Sequence, residues 1–560
     1  MATTRPKATS NEADGSSTAE QPRVRSGKDN LREIIESIAI AFVIAFLFRA
    51  FEAEAFVIPT GSMAPTLMGE HKDLFCPECN FRFQVNSSAD QKLVTSCICP
   101  NCRYRLTFGP VGEDGPVPPT YKGDRIIVAK FSYEVADPAR WDVGVFKYPI
   151  TAKVNFIKRI VGLPRETLRI YHGDIYTAPD GAEQFAIEHK APEKVAAMLQ
   201  AVYDNDYPVP EILNNGWPER WQGESGQHWV HPHDDLTRYE TDGKAAEAWL
   251  RYSHFVPSYD DWQTLKRGPL SPDERQKIRP QFIGDFYAYD NGNRVREDLL
   301  HWVGDLALEC ELDVRSSSGT IVLELIEGNR AHHCSLDVGD GSARLSAEGL
   351  PEFKPRAAGP VIRGVGKHTV RFANVDDRLL VWVDGKLVEF DSSTAYNPLP
   401  AGMDPTLKFD GPGPRDLAPA AVASRNVQLG VSHLRVLRDI YYIAERLAEG
   451  RNPGEVMDLR GDRTRNDFSI GPDSVAANQA IADRVKWVQF KLDEGQFLAL
   501  GDNSPSSKDG RLWPTQHYVD RQLLIGKALF IYWPHALNRI PYTRIWFPLF
   551  PNIERMKFIH

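Results

Sequence analysis

Residues 154–164 read "VNFIKRIVGLP", and the way this run is taken decides the fold. It is rich in β-branched and aromatic residues and stops at Gly162 and Pro164, which marks a strand rather than a helix. Side chains of a strand alternate between two faces. Lys158 therefore shares one face with Phe156 and Ile160, while Arg159 shares the other with Ile157 and Val161. Two readings follow. On an edge strand both cations snorkel to water; on an interior strand at least one of them is held among apolar groups. The flanking stretches "DRIIVAKFSY" (124–133) and "DVGVFKYP" (142–149) are of the same kind, so 121–175 reads as a compact β domain.

That text returns near the end of the chain, in "WVQFKL" (487–492), "QFLALGDNSPSSKDGRLW" (496–513) and "LLIGKALFIYWP" (523–534). What lies between is different. Residues 285–445 alternate and break at turns, with Asp384–Gly385 between "LLVWV" and "KLVEF" as a two-residue hairpin signal. Several such strands in succession predict a β-sandwich. The run "HTVRFANVDDRLLVWVDGKLV" (368–388) resembles the laminin-G or concanavalin-like jelly roll, which implies a glycan or protein ligand or a plain spacer. Residues 181–284 form a polar, Trp-rich insertion whose His228, His231 and His233 are expected to be solvated loop histidines. A helix is expected near 474–487. The whole is mainly β, with one β domain split by a large insertion.

At 560 residues the chain is long enough for two to four domains. Its net charge of −9 is spread without any basic stripe, which argues against nucleic acid as a partner. Five of the seven cysteines fall in 76–102. Cys76 and Cys79 form one CxxC, Cys99 and Cys102 a second, and the spacing over 71–108 resembles a zinc ribbon. The competing reading is a pair of disulfides, and Cys97 is left over. Zinc held by four thiolates is structural, so no cofactor is expected for catalysis.

Residues 1–30 are polar and without hydrophobic period, as in a disordered tail. Residues 31–51 hold an apolar run, Ile38–Phe48, flanked by charges. It reads as a buried helix, as a signal peptide with "AEA" at 53–55 as its cleavage site, or as an uncleaved membrane anchor. The anchor is preferred, because the long charged stretch before the run suits a signal peptide poorly. Arg23, Arg25, Lys28 and Arg32 precede it, which predicts a cytoplasmic N-terminus and a single pass through the cytoplasmic membrane.

Shortly after it comes "IPTGSMAPTL" (58–67), with Ser62 in a proline-framed turn. A serine needs a base to attack an amide at neutral pH, and a lysine serves only if burial keeps it neutral. Lys158 is the candidate. In order, the anchor, the Ser62 stretch, the Lys158 stretch and the "GDN" stretch resemble type I signal (leader) peptidases. That resemblance implies a Ser/Lys peptidase domain over 52–180 and 460–560. It implies Ser62 as nucleophile, Lys158 as general base, and the Ser62 N–H with the Thr60 hydroxyl as oxyanion hole. Ser507 would hold Lys158 by a hydrogen bond, and Asp509 and Arg511 would pair beneath the site. Phe56, Ile58, Pro59, Met63, Phe156 and Ile157 would line pockets for small side chains, so the expected partners are preprotein signal peptides with Ala-x-Ala sites and membrane lipid. Gly510 departs from the family, which commonly has Ser there. Two rival functions are a self-cleaving Ser/Lys protein and a non-enzymatic membrane-anchored binding protein that works through the sandwich.

Overall fold

The computed structural model describes residues 34–43, 53–88, 94–109, 114–224, 228–290, 300–399, 411–447, 456–458, 488–539 and 546–560. Residues up to 53 form one unit and Glu54–His560 another. In the first, 34–43 are helical and expose Ile34, Ile38 and Phe42. Among the described residues no helix is long and apolar enough to cross a membrane. Most of 31–51, where an anchor is expected, and all of 1–30 and of the expected helix at 474–487 lie outside the described residues.

The second unit is mainly β. Seven strands make its first sheet, in the order Ala53–Val57, Arg125–Ala129, Leu524–Trp533, Val143–Lys147, Asn155–Gly162, Gln496–Leu500, Val519–Asp520. All the register-resolved neighbours are antiparallel. The Lys158 strand is thus interior. On one side Lys158 faces Gly144; on the other, Arg159 faces Leu500, a partner more than 300 residues later. An interior strand cannot let its charges snorkel, and both are buried. A four-stranded sheet, Ala186–Ile187, Asp174–Pro179, Glu166–Tyr171, Val488–Leu492, extends this domain. Segments before and after the insertion therefore interleave strand by strand.

The insertion holds two more sheets. One is ordered Gln200–Asp204, Leu429–Arg438, Leu306–Val314, Gly366–Val375, Arg378–Val383, Lys386–Leu387, with Tyr239–Thr241 also on Leu429–Arg438. The other is ordered Trp221–Gly223, Ala248–Tyr252, Ala420–Arg425, Thr320–Glu327, Arg330–Asp337, Ala343–Ala347. Alternate residues of both, such as Leu308, Leu312, Leu323, Phe372, Val422 and Val431, meet in one apolar core. Burying such faces against each other is the main stabilising term, about 25 cal/mol per Å² of apolar surface. Four strands of the Trp-rich stretch, Gln200–Asp204, Trp221–Gly223, Tyr239–Thr241 and Ala248–Tyr252, belong to these sheets. Its strands are only three to five residues long, too short to alternate visibly, and they pair with Leu429–Arg438 and Ala420–Arg425 far downstream.

Candidate active site

Ser62 sits in a tight turn directly after the first strand of the seven-stranded sheet. The turn is stapled at both ends to Asp124: Ile58 N–H donates to the Asp124 carbonyl (2.9 Å), and Met68 N–H to its carboxylate (2.8 Å). Asn503 N–H donates to the Ser62 carbonyl (3.1 Å) from the opposite side. Gly501 lets the chains approach this closely, since a Cβ there would lie 2.4 Å from the Ser62 carbonyl oxygen and 2.1 Å from Ser507 Oγ.

Lys158 reaches the turn from the interior strand Asn155–Gly162. Its Nζ lies 2.6 Å from Ser62 Oγ and donates to the Ile157 carbonyl at 3.1 Å. Only 4% of Lys158 is exposed. Burial lowers its pKa from 10.5 to about 8, against the opposing pull of Asp509 and Asp502. At neutral pH a useful fraction is therefore the free amine, able to accept the serine proton.

Beneath this pair lie two buried ion pairs. Arg511 grips Asp509 with two bonds, Nε to Oδ1 (2.8 Å) and Nη2 to Oδ2 (2.7 Å), and donates onward to the Ser504 hydroxyl (2.7 Å) and the Ile443 carbonyl (2.8 Å). Burial alone would raise the Asp509 carboxyl, but Arg511 outweighs it and holds the group below its ordinary range. Arg159 grips Asp502 likewise, Nε to Oδ1 and Nη2 to Oδ2, both 2.7 Å. Thr66 donates to the same carboxylate at 2.5 Å. The sequence reading named Asp509 and Arg511 as a pair and named none of Asp502, Thr66 and Asn503. A buried arginine demands a carboxylate, but nothing local says which one.

Several expected residues are placed differently. Ser507 is buried beside Gly501, but its hydroxyl makes no hydrogen bond of good geometry and does not reach Lys158 as expected. The expected hold on Lys158 is made by the Ile157 carbonyl and by packing of Nζ 5.5 Å from the Phe156 ring centre. Ile58 and Met63 are taken into the core with Ile126, Val145 and Ile531, because the turn folds their side chains inward. Phe56, Phe156 and Ile157 stay half-buried, and Pro59 and Thr60 are exposed next to Ser62. Phe56, Pro59, Phe156 and Ile157 thus keep apolar surface open to solvent.

Away from this site, Cys76, Cys79, Cys99 and Cys102 are free, buried thiols. Their sulfurs lie within 4.8 Å of one another, with Cys76–Cys102 at 3.5 Å and Cys79–Cys99 at 3.6 Å. A zinc ion with bonds of about 2.3 Å sets tetrahedral sulfurs roughly 3.8 Å apart, so the four residues fit the ion, while a disulfide needs about 2.05 Å. Cys97 stands outside the group, its pKa pushed up to about 12 by burial. The knuckle docks on the insertion: Trp262 Nε1–H donates to the Cys102 carbonyl (3.0 Å), and Asn101 bonds Tyr207 and Asp204.

A family model described as Signal peptidase, peptidase S26 matches residues 110–211 and 453–533. Signal peptidase I of Pseudomonas fluorescens is 47% identical over 68 residues, 10% of this chain and 24% of that protein. A probable signal peptidase I-2 of Synechocystis is 27% identical over 149 residues, covering 26% of this chain and 44% of that protein. Signal peptidase I of Leptolyngbya laminosa is 28% identical over 218 residues, 37% of this chain and 76% of that protein. The chain spans 24% of the length of the two Pseudomonas relatives it matches. Among solved structures, a carbohydrate binding module from Bacillus subtilis aligns with a TM-score of 0.22 and 8% identity, covering 39% of this chain and 94% of that one. Ser62 lies ahead of the first matched segment, Lys158 lies in it, and Asp502, Asp509 and Arg511 lie in the second. What this chain has in common with known proteins is thus its likeness to the signal peptidases of the S26 kind, in two segments that the fold brings together around Lys158.

Proposed function

We propose that this protein is a signal peptidase I, a serine endopeptidase that removes signal peptides from exported preproteins with a Ser62/Lys158 dyad. The observation that carries the reading is the 2.6 Å contact between Lys158 Nζ and Ser62 Oγ inside a buried site. The neutral Lys158 amine takes the Ser62 hydroxyl proton as Oγ bonds to the scissile carbonyl carbon. The carbonyl oxygen gains the charge and is met by the Ser62 N–H and the Thr60 hydroxyl, donors worth about 3 kcal/mol each. The intermediate collapses, the C–N bond breaks, and the Lys158 ammonium gives its proton to the leaving amine. A water deprotonated by the regenerated amine then hydrolyses the acyl-enzyme. Phe56, Pro59, Phe156 and Ile157 suit small side chains, which favours Ala-x-Ala sites.

In this reading, 31–51 anchor the chain in the cytoplasmic membrane with the N-terminus inside and the catalytic domain outside, next to lipid. The insertion's two-sheet domain is then exposed to a glycan or protein ligand of the laminin-G type. The test is cleavage of a preprotein with an Ala-x-Ala site by detergent-purified protein. Wild type should cut and Ser62→Ala should not; equal cutting by both would sink the proposal.

Zinc at Cys76, Cys79, Cys99 and Cys102 would be structural, tying the knuckle together beside Trp262. Metal analysis should return about one zinc per chain, the capacity of one four-thiolate site. Cys99→Ser should lose the metal and lower the melting temperature without altering the pH dependence of cleavage, since none of these thiols touches Lys158. A metal-free wild-type protein of unchanged stability would rule the ion out.

A further inference from the structure

The insertion does not end at its own core. Its segment Tyr287–Asp290 packs directly on the nucleophile turn. Tyr289 is buried against Ala64 and Met68, and a Cβ at Gly61 would lie 2.2 Å from the Tyr289 ring. Gly61 is therefore a glycine because an aromatic ring from the insertion occupies the place of its side chain. Beside it, the Asn503 side-chain amide donates both of its hydrogens, one to the Gly61 carbonyl (3.1 Å) and one to Asp290 Oδ1 (2.7 Å).

The geometry of a trans peptide gives this bridge a consequence. The Gly61 C=O and the Ser62 N–H belong to one planar unit and point in opposite directions. Whatever fixes the Gly61 oxygen also aims the Ser62 N–H. That oxygen has two donors, Asn503 Nδ2 and the Ala64 N–H (3.1 Å). The Ala64 bond belongs to the turn itself, whereas the Asn503 bond is held in orientation from outside. An Asn side chain is free to rotate about its last bond, and the Asp290 carboxylate removes that freedom by taking the other hydrogen. Asp290 is half-buried, and desolvation of its carboxyl pushes the pKa up to about 6, so at pH 7 and above it is mostly the charged acceptor.

We infer that Asp290 is a positioning residue: through Asn503 and the Gly61 carbonyl it aims the Ser62 N–H at the developing oxyanion. The large insertion is then part of the catalytic apparatus and not an appendage. The inference rests on the Ser62 reading above, and the expected effect follows from it. A misaimed donor acts mainly in the transition state, so the change falls on kcat and not on KM.

The experiment compares full-length wild type, Asp290→Ala, Asp290→Asn and Ser62→Ala on one preprotein, with a melting curve for each. Asp290→Ala should lower kcat by roughly 10- to 100-fold, part of the 10²–10³ lost with a whole oxyanion donor, with KM and melting temperature near wild type. Asp290→Asn keeps an acceptor oxygen and should restore most of the rate. If wild type depends on Ser62 while Asp290→Ala is equally fast, this inference falls and the peptidase reading stands. Loss of rate in step with lost thermal stability, unrescued by Asp290→Asn, shows a merely structural role and overturns it too. If wild type and Ser62→Ala cut alike, both fall. Should Asp290→Ala not fold, the comparison of Asp290→Asn with Asn503→Ala decides: near-wild-type rate in the first and loss in the second is expected, and equal rates refute it.

Discussion

Replacing Lys158 with methionine is expected to lower kcat on a preprotein by about 10⁴-fold or more, the scale of losing one member of a nucleophile–base pair. The same change is expected to stabilise the protein at pH 7. Both effects have one cause. Lys158 is buried, and its pKa falls from 10.5 to about 8 because burial disfavours the ammonium. A free amine at pH 7 is what the chemistry needs; a buried ammonium is what the fold tolerates at a cost. Between pH 8 and 10.5 the unfolded chain holds a proton on this amine that the folded chain has released. Stability of the wild type therefore rises with pH across that window, and below pH 8 the full penalty applies, on the order of 3 kcal/mol at 1.36 kcal/mol per pH unit. Methionine fills a similar volume without the charge and removes the penalty, so its melting temperature should exceed wild type's most at pH 7 and match it near pH 10.5. In wild type, kcat/KM should climb about tenfold per pH unit up to pH 8 and level above it, as the neutral fraction does. A rate independent of pH from 6 to 9, or an acidic optimum, would remove Lys158 as the base.

The alternation in "VNFIKRIVGLP" was enough to set Lys158 and Arg159 on opposite faces, and the β character of 121–175 follows from the same period. Whether that strand was edge or interior was not legible, because the neighbour that encloses it, Gln496–Leu500, lies more than 300 residues on. The split of the domain could be read from matching text on either side of the insertion. The strands of 200–252 could not, since each is short and gains its hydrogen bonds from distant partners. At the site, Lys158 Nζ lies 2.6 Å from Ser62 Oγ and Arg511 pairs with Asp509, residues that the quoted motifs contain. The Ser507 hydroxyl makes no hydrogen bond to Lys158, a detail of rotamer that no motif carries. Tyr289 and Asp290 have no local signal at all. Their role comes only from the way the insertion folds back on Gly61.

Asp502→Ala is expected to destabilise the protein by about 3–5 kcal/mol, the range for removing one partner of a buried ion pair. Neither Arg159 nor Asp502 has exposed side-chain surface. Without the carboxylate, Arg159 Nη1 keeps the Trp141 and His560 carbonyls (2.7 and 2.8 Å), and Nη2 keeps Thr66 Oγ1 (3.2 Å), but Nε loses its acceptor and the charge its counter-ion. Thr66, which now donates to Asp502, would be left with a buried hydroxyl as well. A double replacement, Arg159→Met with Asp502→Leu, takes away both charges and should recover most of the stability, since apolar groups of like volume often substitute for a buried pair at little cost. Chemical denaturation of the two variants beside wild type measures both expectations. The same carboxylate acts on the dyad, because Asp502 is one of the two charges that support the Lys158 ammonium. In the folded fraction of Asp502→Ala the rising limb of the pH–rate profile should therefore move below pH 8. A variant as stable as wild type, with the limb unmoved, would mean that Asp502 neither clamps the two halves of the domain nor sets the charge state of the base.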